Sequence, residues 1–139
     1  MTDVHDKITR SYNMRQIKGK NTKPELLVRR FLFANGFRYK LHDKNLIGRP
    51  DIVLPKHKCL IFVNGCFWHG HNGCQFFKIP ATNTVWWENK ISKTIENDIT
   101  HREFLSTLGW QVIIIWECQL KPKRVTETLN QLLYKLNKR

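Results

Sequence analysis

Residues 59–74, CLIFVNGCFWHGHNGC, gather Cys66, His69, His71 and Cys74 on one predicted strand and the loop after it. Cys66-x4-His71-x2-Cys74, completed by Cys118, would make a tetrahedral Cys3His set. Thiolates with an imidazole suit zinc, and a closed shell of four protein ligands makes such an ion structural rather than catalytic. The plainer reading is a group of buried thiols without metal, because Cys118 is far from the others in sequence. Cys59 falls inside a predicted strand and reads as a small core residue. His69 has two readings, the imidazole of the zinc set or a general base that accepts a proton near neutral pH.

A second group could serve phosphodiester hydrolysis, which needs an activated water, charge neutralisation at phosphorus and help for the leaving oxygen. Magnesium held by hard oxygen ligands supplies the last two. Asp51 is the candidate ligand, because it follows Pro50 and opens a strand beside a Gly-containing loop; a turn-capping Asp is the alternative. Asp98 lies close to the apolar stripe of a predicted helix, unusual for a carboxylate unless it is paired. Orienting the imidazole of a base would suit it, and an acid at the edge of the stripe is the bland reading. Phe67, Trp68 and Trp87 are candidate wedges. Aromatic side chains inserted between base steps unstack a duplex at least cost where a mismatch has already weakened it. Ordinary core packing is the other reading, and it is the one expected for Trp86.

Composition narrows the partners. A chain of 139 residues favours one domain, and 41% hydrophobic and 12% aromatic residues are ordinary for a globular protein. Its net charge of +13 attracts polyanions, and DNA binding gains from released counterions; solubility or an anionic membrane surface is the weaker explanation. No apolar run approaches a membrane span, and MTDVHDKITR lacks a signal-peptide core, so a cytoplasmic protein with unbridged cysteines is expected. No uncovered apolar stripe asks for a second copy, so a monomer is expected.

The elements that must position these residues follow from pattern. Residues 1–21 read as a basic DNA-binding arm carrying Asn13, Met14, Arg15 and Lys20, and 22–139 as the catalytic domain. Thr22 and Glu25 have capping-box spacing ahead of a helix that Gly36 stops. Residues 37–41 read as a strand, and 51–54 with 59–63 as a hairpin. The loop from Asn64 to Thr84 is long enough to need an anchor. A helix over 87–108 carries Ile91, Ile95 and Leu105, and strand 111–116 is apolar throughout, so burial on both faces is expected. A final helix, about 122–137, turns Val125, Leu129, Leu132, Leu133 and Leu136 inward. The order α-β-β-β-α-β-α predicts an α/β fold with a central mixed sheet flanked by helices.

The segments VHDKITRSYNMRQI (4–17), NTKPE (21–25), GRPDIV (48–53), CLIFVNGCFWHGH (59–71), FFKIPATNT (76–84) and LGWQVIIIWEC (108–118) resemble the very-short-patch repair (Vsr) DNA mismatch endonucleases over nearly the whole chain. The resemblance implies a single-domain restriction-endonuclease-like fold of the PD-(D/E)XK type with a structural zinc on Cys66, His71, Cys74 and Cys118, His69 being the neighbouring alternative. It implies a catalytic magnesium on Asp51 and the backbone carbonyl of Val63, His69 as base, Asp98 as its partner and Glu25 near the metal's water shell. Glu25 is fully explained by helix capping without it. Val63 stands where the family has Thr, and Asn64 where it often has His, so Asn64 can hydrogen-bond at the site but donates no proton at neutral pH.

The activity so implied is a strand-specific nick 5′ of the mismatched T in T·G pairs left by 5-methylcytosine deamination. Phe67, Trp68 and Trp87 would intercalate beside the mismatch, with the arm across the minor groove. A cytosine-5 DNA methyltransferase as companion, a MutL-type protein as helper and a location at the bacterial nucleoid go with it. A restriction-type nuclease acting on matched duplex, or a mismatch-binding protein with weakened catalysis, are the alternatives.

Overall fold

Thr22 starts the first helix, with its Oγ1 accepting the N–H of Glu25 at 3.4 Å and Pro24 in the first turn, where a missing N–H costs nothing. This helix, α1 (Lys23–Ala34), buries Val28 and Leu32. The computed structural model describes residues 21–138, so Asn13, Met14, Arg15 and Lys20 of the expected arm lie outside the described residues.

Then follow β1 (Lys40–Leu41), β2 (Ile52–Leu54), β3 (Cys59–Asn64), α2 (Thr84–Thr107), β4 (Gln111–Trp116) and α3 (Val125–Asn137). Short 3-10 turns occupy Pro55–His57 and Glu117–Leu120. The element order matches the expectation from pattern. The sheet runs β1-β2-β3-β4, antiparallel except for the parallel pair β3–β4, whose crossover is α2.

Alternation along β3 sorts the core. Cys59 and Ile61 face α1 and α3 together with Ile52, Leu54, Ile113 and Ile115, against Val28, Leu32, Leu132 and Leu136. Leu60 faces α2 through Leu105, with Val53 beside it and Phe62, Trp110 and Val112 packed around. The sheet is therefore covered on both faces, and Cys59 is fully buried, as its strand position predicts.

Three expectations are corrected. The strand at 37–41 is only Lys40–Leu41, because the N–H of Phe37 bonds to Leu32 O at 3.0 Å and closes the end of α1 instead of joining the sheet. Strand β4 is buried only at Ile113 and Ile115; it is an edge strand, and its other face is half-covered. Trp86 is no core residue, being 57% exposed on the first turns of α2.

Candidate functional site

Asp51 stands at the start of β2, where the hairpin register brings it beside the end of β3. Its Oδ2 accepts the Val63 N–H at 2.7 Å, which fixes the carboxylate against the neighbouring strand. Burial pushes its carboxyl up to about 6, against the Val63 hydrogen bond. The negative charge of Glu25 adds to the rise, and His42 and His69 oppose it.

Glu25 joins Asp51 from α1. It is 2% exposed, and its carboxylate accepts the Asn21 N–H at 3.3 Å and Arg29 Nη1 at 3.1 Å. Both its oxygens lie within reach of His42 Nε2, at 3.1 and 2.9 Å. The capping and site readings of Glu25 are thus compatible: its N–H is capped by Thr22, while its carboxylate points to Asp51. Ligand atoms of Glu25, His42 and Asp51 all lie within 4.8 Å of one another. His42 is the residue that sequence reasoning missed. It sat in a loop, 17 positions from Glu25, and nothing in local spacing marks it.

His69 Nδ1 lies 2.7 Å from Asp98 Oδ2 on α2. An ionised carboxylate only accepts, so Nδ1 carries a proton, and in the neutral imidazole the lone pair then sits on Nε2. Asp98 also lines a cavity of about 10 Å³ with Phe62, Asn64, His101, Arg102 and Ile114, room for a single water. Asn64, 5% exposed, therefore faces α2 next to the His69 partner, on the opposite side of β3 from Val63.

The loop beyond β3 is held at three points. Gly70, at φ +59, docks on α2 so closely that a Cβ there would meet Ile91 Cγ2 and Ile95 Cδ1 at 2.7 Å. Cys66, His71, Cys74 and Cys118 converge with ligand atoms within 4.8 Å, and His69 is not among them. The His71 ring stacks on Trp116, with centroids 4.0 Å apart and planes 5° from parallel.

The polarity of this cluster suits a soft cation. The Cys118 N–H donates to Cys66 Sγ at 3.3 Å, the Phe76 N–H to Cys74 Sγ at 3.4 Å, and Arg124 Nη1 approaches Cys118 Sγ at 3.8 Å. Burial pushes the Cys66 thiol up to about 12. Cys74 is held below its usual value: burial opposes this, but the Phe76 N–H and the neighbouring thiols outweigh it. His71 is lowered by burial and by the Arg124 charge, which favours the neutral imidazole that a metal ligand needs.

The aromatics form one cluster above the site. Phe67 touches Trp68 and Trp87 at centroid distances of 5.1 and 5.3 Å, and Trp68 and Trp87 are 5.8 Å apart. Phe77 joins at 6.4 Å from Phe67, and Trp86 stands edge-on to Trp87 at 4.8 Å. The wedge candidates are partly exposed rather than core, and Trp68 adjoins His69 directly in sequence.

Residues 2–75 match the family described as DNA mismatch endonuclease Vsr. The type II nicking enzyme V.NmeAIP of Neisseria meningitidis serogroup A is 48% identical over 134 residues, which cover 96% of this chain and 95% of that protein. The DNA mismatch endonuclease Vsr of Escherichia coli K12 is 44% identical over 135 residues, covering 96% of this chain and 86% of its own. The type II nicking enzyme V.XorIIP of Xanthomonas oryzae is 42% identical over 120 residues, or 86% and 88% of the two chains. No helix among the described residues is long and apolar enough to cross a membrane. With this similarity along nearly its whole length, the chain belongs to the Vsr family of DNA mismatch endonucleases, hydrolases of the phosphodiester bond.

Proposed function

We propose that the protein nicks duplex DNA 5′ of the thymine in a T·G mismatch, cutting that strand alone, with magnesium at Asp51 and a structural zinc on Cys66, His71, Cys74 and Cys118. The observation that carries this reading is the convergence, from one hairpin, the loop after β3 and helix α2, of Asp51, the His69–Asp98 pair and the Phe67–Trp68–Trp87 cluster.

The donors present fit both ions. Asp51 and Glu25 crowd two carboxylates into a pocket poor in water, and the rise of Asp51 to about 6 measures a charge penalty that a divalent cation relieves. Three thiols and a neutral imidazole suit zinc. Asp51 and the Val63 carbonyl would hold the magnesium, as in a PD-(D/E)XK-type site, and the ion would neutralise charge at the scissile phosphate.

The chain's own groups do the rest. His69 Nε2 takes the proton of the attacking water, because Nδ1 is committed to Asp98. Phe67, Trp68 and Trp87 enter the weakened base step, while Asn13, Met14, Arg15 and Lys20 of the arm grip the opposite groove. Asn64, in the cavity beside Asp98, can hydrogen-bond but donates no proton at neutral pH, so it cannot replace a histidine as a proton donor there. The protein works as a monomer at the bacterial nucleoid, beside a cytosine-5 methyltransferase whose product deaminates to T·G, with a MutL-type protein as helper.

V.NmeAIP and V.XorIIP are named type II nicking enzymes without mention of a mismatch, and the second reading is a restriction-type nuclease that cuts a matched sequence. One experiment separates the two: a labelled T·G duplex and its T·A control, with magnesium or EDTA, cut by wild-type protein and Asp51→Ala. A magnesium-dependent nick in the T strand of the mismatched duplex only, lost in Asp51→Ala, is expected. Equal cutting of both duplexes would establish the second reading, and binding without cutting would leave a recognition protein.

A further inference from the structure

We propose that His42 is a positioning residue for the reaction: its imidazole fixes the Glu25 carboxylate beside Asp51, so that Glu25 faces the water shell of the divalent cation that Asp51 holds. The inference rests on the reading of Asp51 as a metal ligand.

The case begins with the sheet. Leu41 pairs with Ile52, so the next residue, His42, comes opposite Asp51, and its N–H donates to the Asp51 carbonyl at 3.2 Å. There the chain leaves the strand, with His42 at φ +48. A non-glycine residue pays roughly 1–2 kcal/mol for that conformation, so it persists where surrounding contacts hold it. What holds it is Glu25: His42 Nε2 reaches both carboxylate oxygens, at 3.1 and 2.9 Å.

The other groups on Glu25 cannot do the same task. Asn21 precedes α1 and Arg29 lies one turn further along it, so their contacts at 3.3 and 3.1 Å tie the carboxylate to its own helix. His42 alone among these partners is bonded through its backbone to Asp51. It therefore sets the position of the α1 carboxylate relative to the sheet carboxylate. Two acids this close repel, and a donor against Glu25 offsets the repulsion while the cation is away. The imidazole is 14% exposed, so water competes little for the contact.

The test uses Mn2+ as a paramagnetic stand-in for magnesium, with free ion counted by electron paramagnetic resonance in the zinc-loaded full chain. His42→Ala should weaken Mn2+ binding by roughly 10–100-fold, the usual effect of losing an outer partner at a metal site. His42→Gln keeps an N–H donor for the carboxylate and should bind close to wild type. Binding of a T·G duplex in EDTA should be unchanged in both, which controls for folding. Wild-type Mn2+ affinity in His42→Ala would overturn the proposal. So would a loss in His42→Gln as large as in His42→Ala, since the ring itself would then be required. An Asp51→Ala protein that still binds Mn2+ would remove the metal reading of Asp51 instead, and the positioning role of His42 would fall with it.

Discussion

His69 and Asp98 meet at 2.7 Å across 29 positions of sequence, one on the loop after β3 and the other on α2. The contact sets the tautomer of His69 and also fixes the loop to the helix, so under the proposed mechanism a single hydrogen bond couples proton transfer to the placement of Trp68 next door. Removing His69 should cost roughly 10²–10⁴-fold in single-turnover nicking, the usual range for a general base. Asp98→Ala should cost less and leave T·G binding intact. Full activity in His69→Ala with normal binding would assign the base elsewhere.

Asp51 gives a pH signature. Its carboxyl is pushed up to about 6 in the folded protein from an ordinary 3.8, so the folded state holds the extra proton between those values. The favourable contribution is complete below the unfolded value and is lost as pH rises through about 6. Asp51→Asn, which keeps an acceptor for the Val63 N–H, should stabilise the magnesium-free protein by roughly 3 kcal/mol above neutral pH. The gain should vanish in acid. Urea unfolding across the pH range tests this, and a gain independent of pH would refute the burial argument.

Zinc analysis of the purified protein should find one ion per chain. Cys118→Ser should lose it and lower Tm by roughly 10 °C, because the 3-10 turn after β4 would no longer hold the loop. Cys59→Ala, altered inside β3 and away from the cluster, should keep its zinc. Full zinc content in Cys118→Ser would exclude that residue as a ligand.

Gly70 is a steric hinge point. Gly70→Ala places a methyl against Ile91 and Ile95 in a left-handed conformation, and should cost roughly 1–3 kcal/mol while displacing His69 and His71 together. Loss of nicking and of zinc in the same variant is expected. Unchanged values of both would show that the loop is free to shift.

The wedge should act through discrimination. Trp87→Ala or Phe67→Ala should reduce the preference for T·G over T·A duplex binding by roughly tenfold, with less effect on binding to matched DNA. Trp86→Ala, truncating the exposed neighbour, should have a smaller effect. Equal loss on both duplexes would make these residues general DNA contacts.

Much of the site could be read from residue types. The Cys-x4-His-x2-Cys spacing marked a metal set, and the apolar runs around Pro55 marked the hairpin that carries Asp51 and Val63. Trp86 was misread because Trp is usually buried; which of two adjacent tryptophans turns outward depends on the phase of α2 against the loop. His42 was missed because its importance comes from a turn of the backbone, not from its neighbours.

The sequence by itself determined the element order, the donor chemistry and the family, because these reside in periodicity, residue type and motif, all local properties. The pairing of His69 with Asp98 and the set of His71 with three thiols were expectations of the sequence and its resemblance; only the tertiary structure set their contacts and brought His42 to Glu25. Each pair joins elements distant in the chain, and the distance between them is set by how α1 and α2 pack on opposite faces of the sheet.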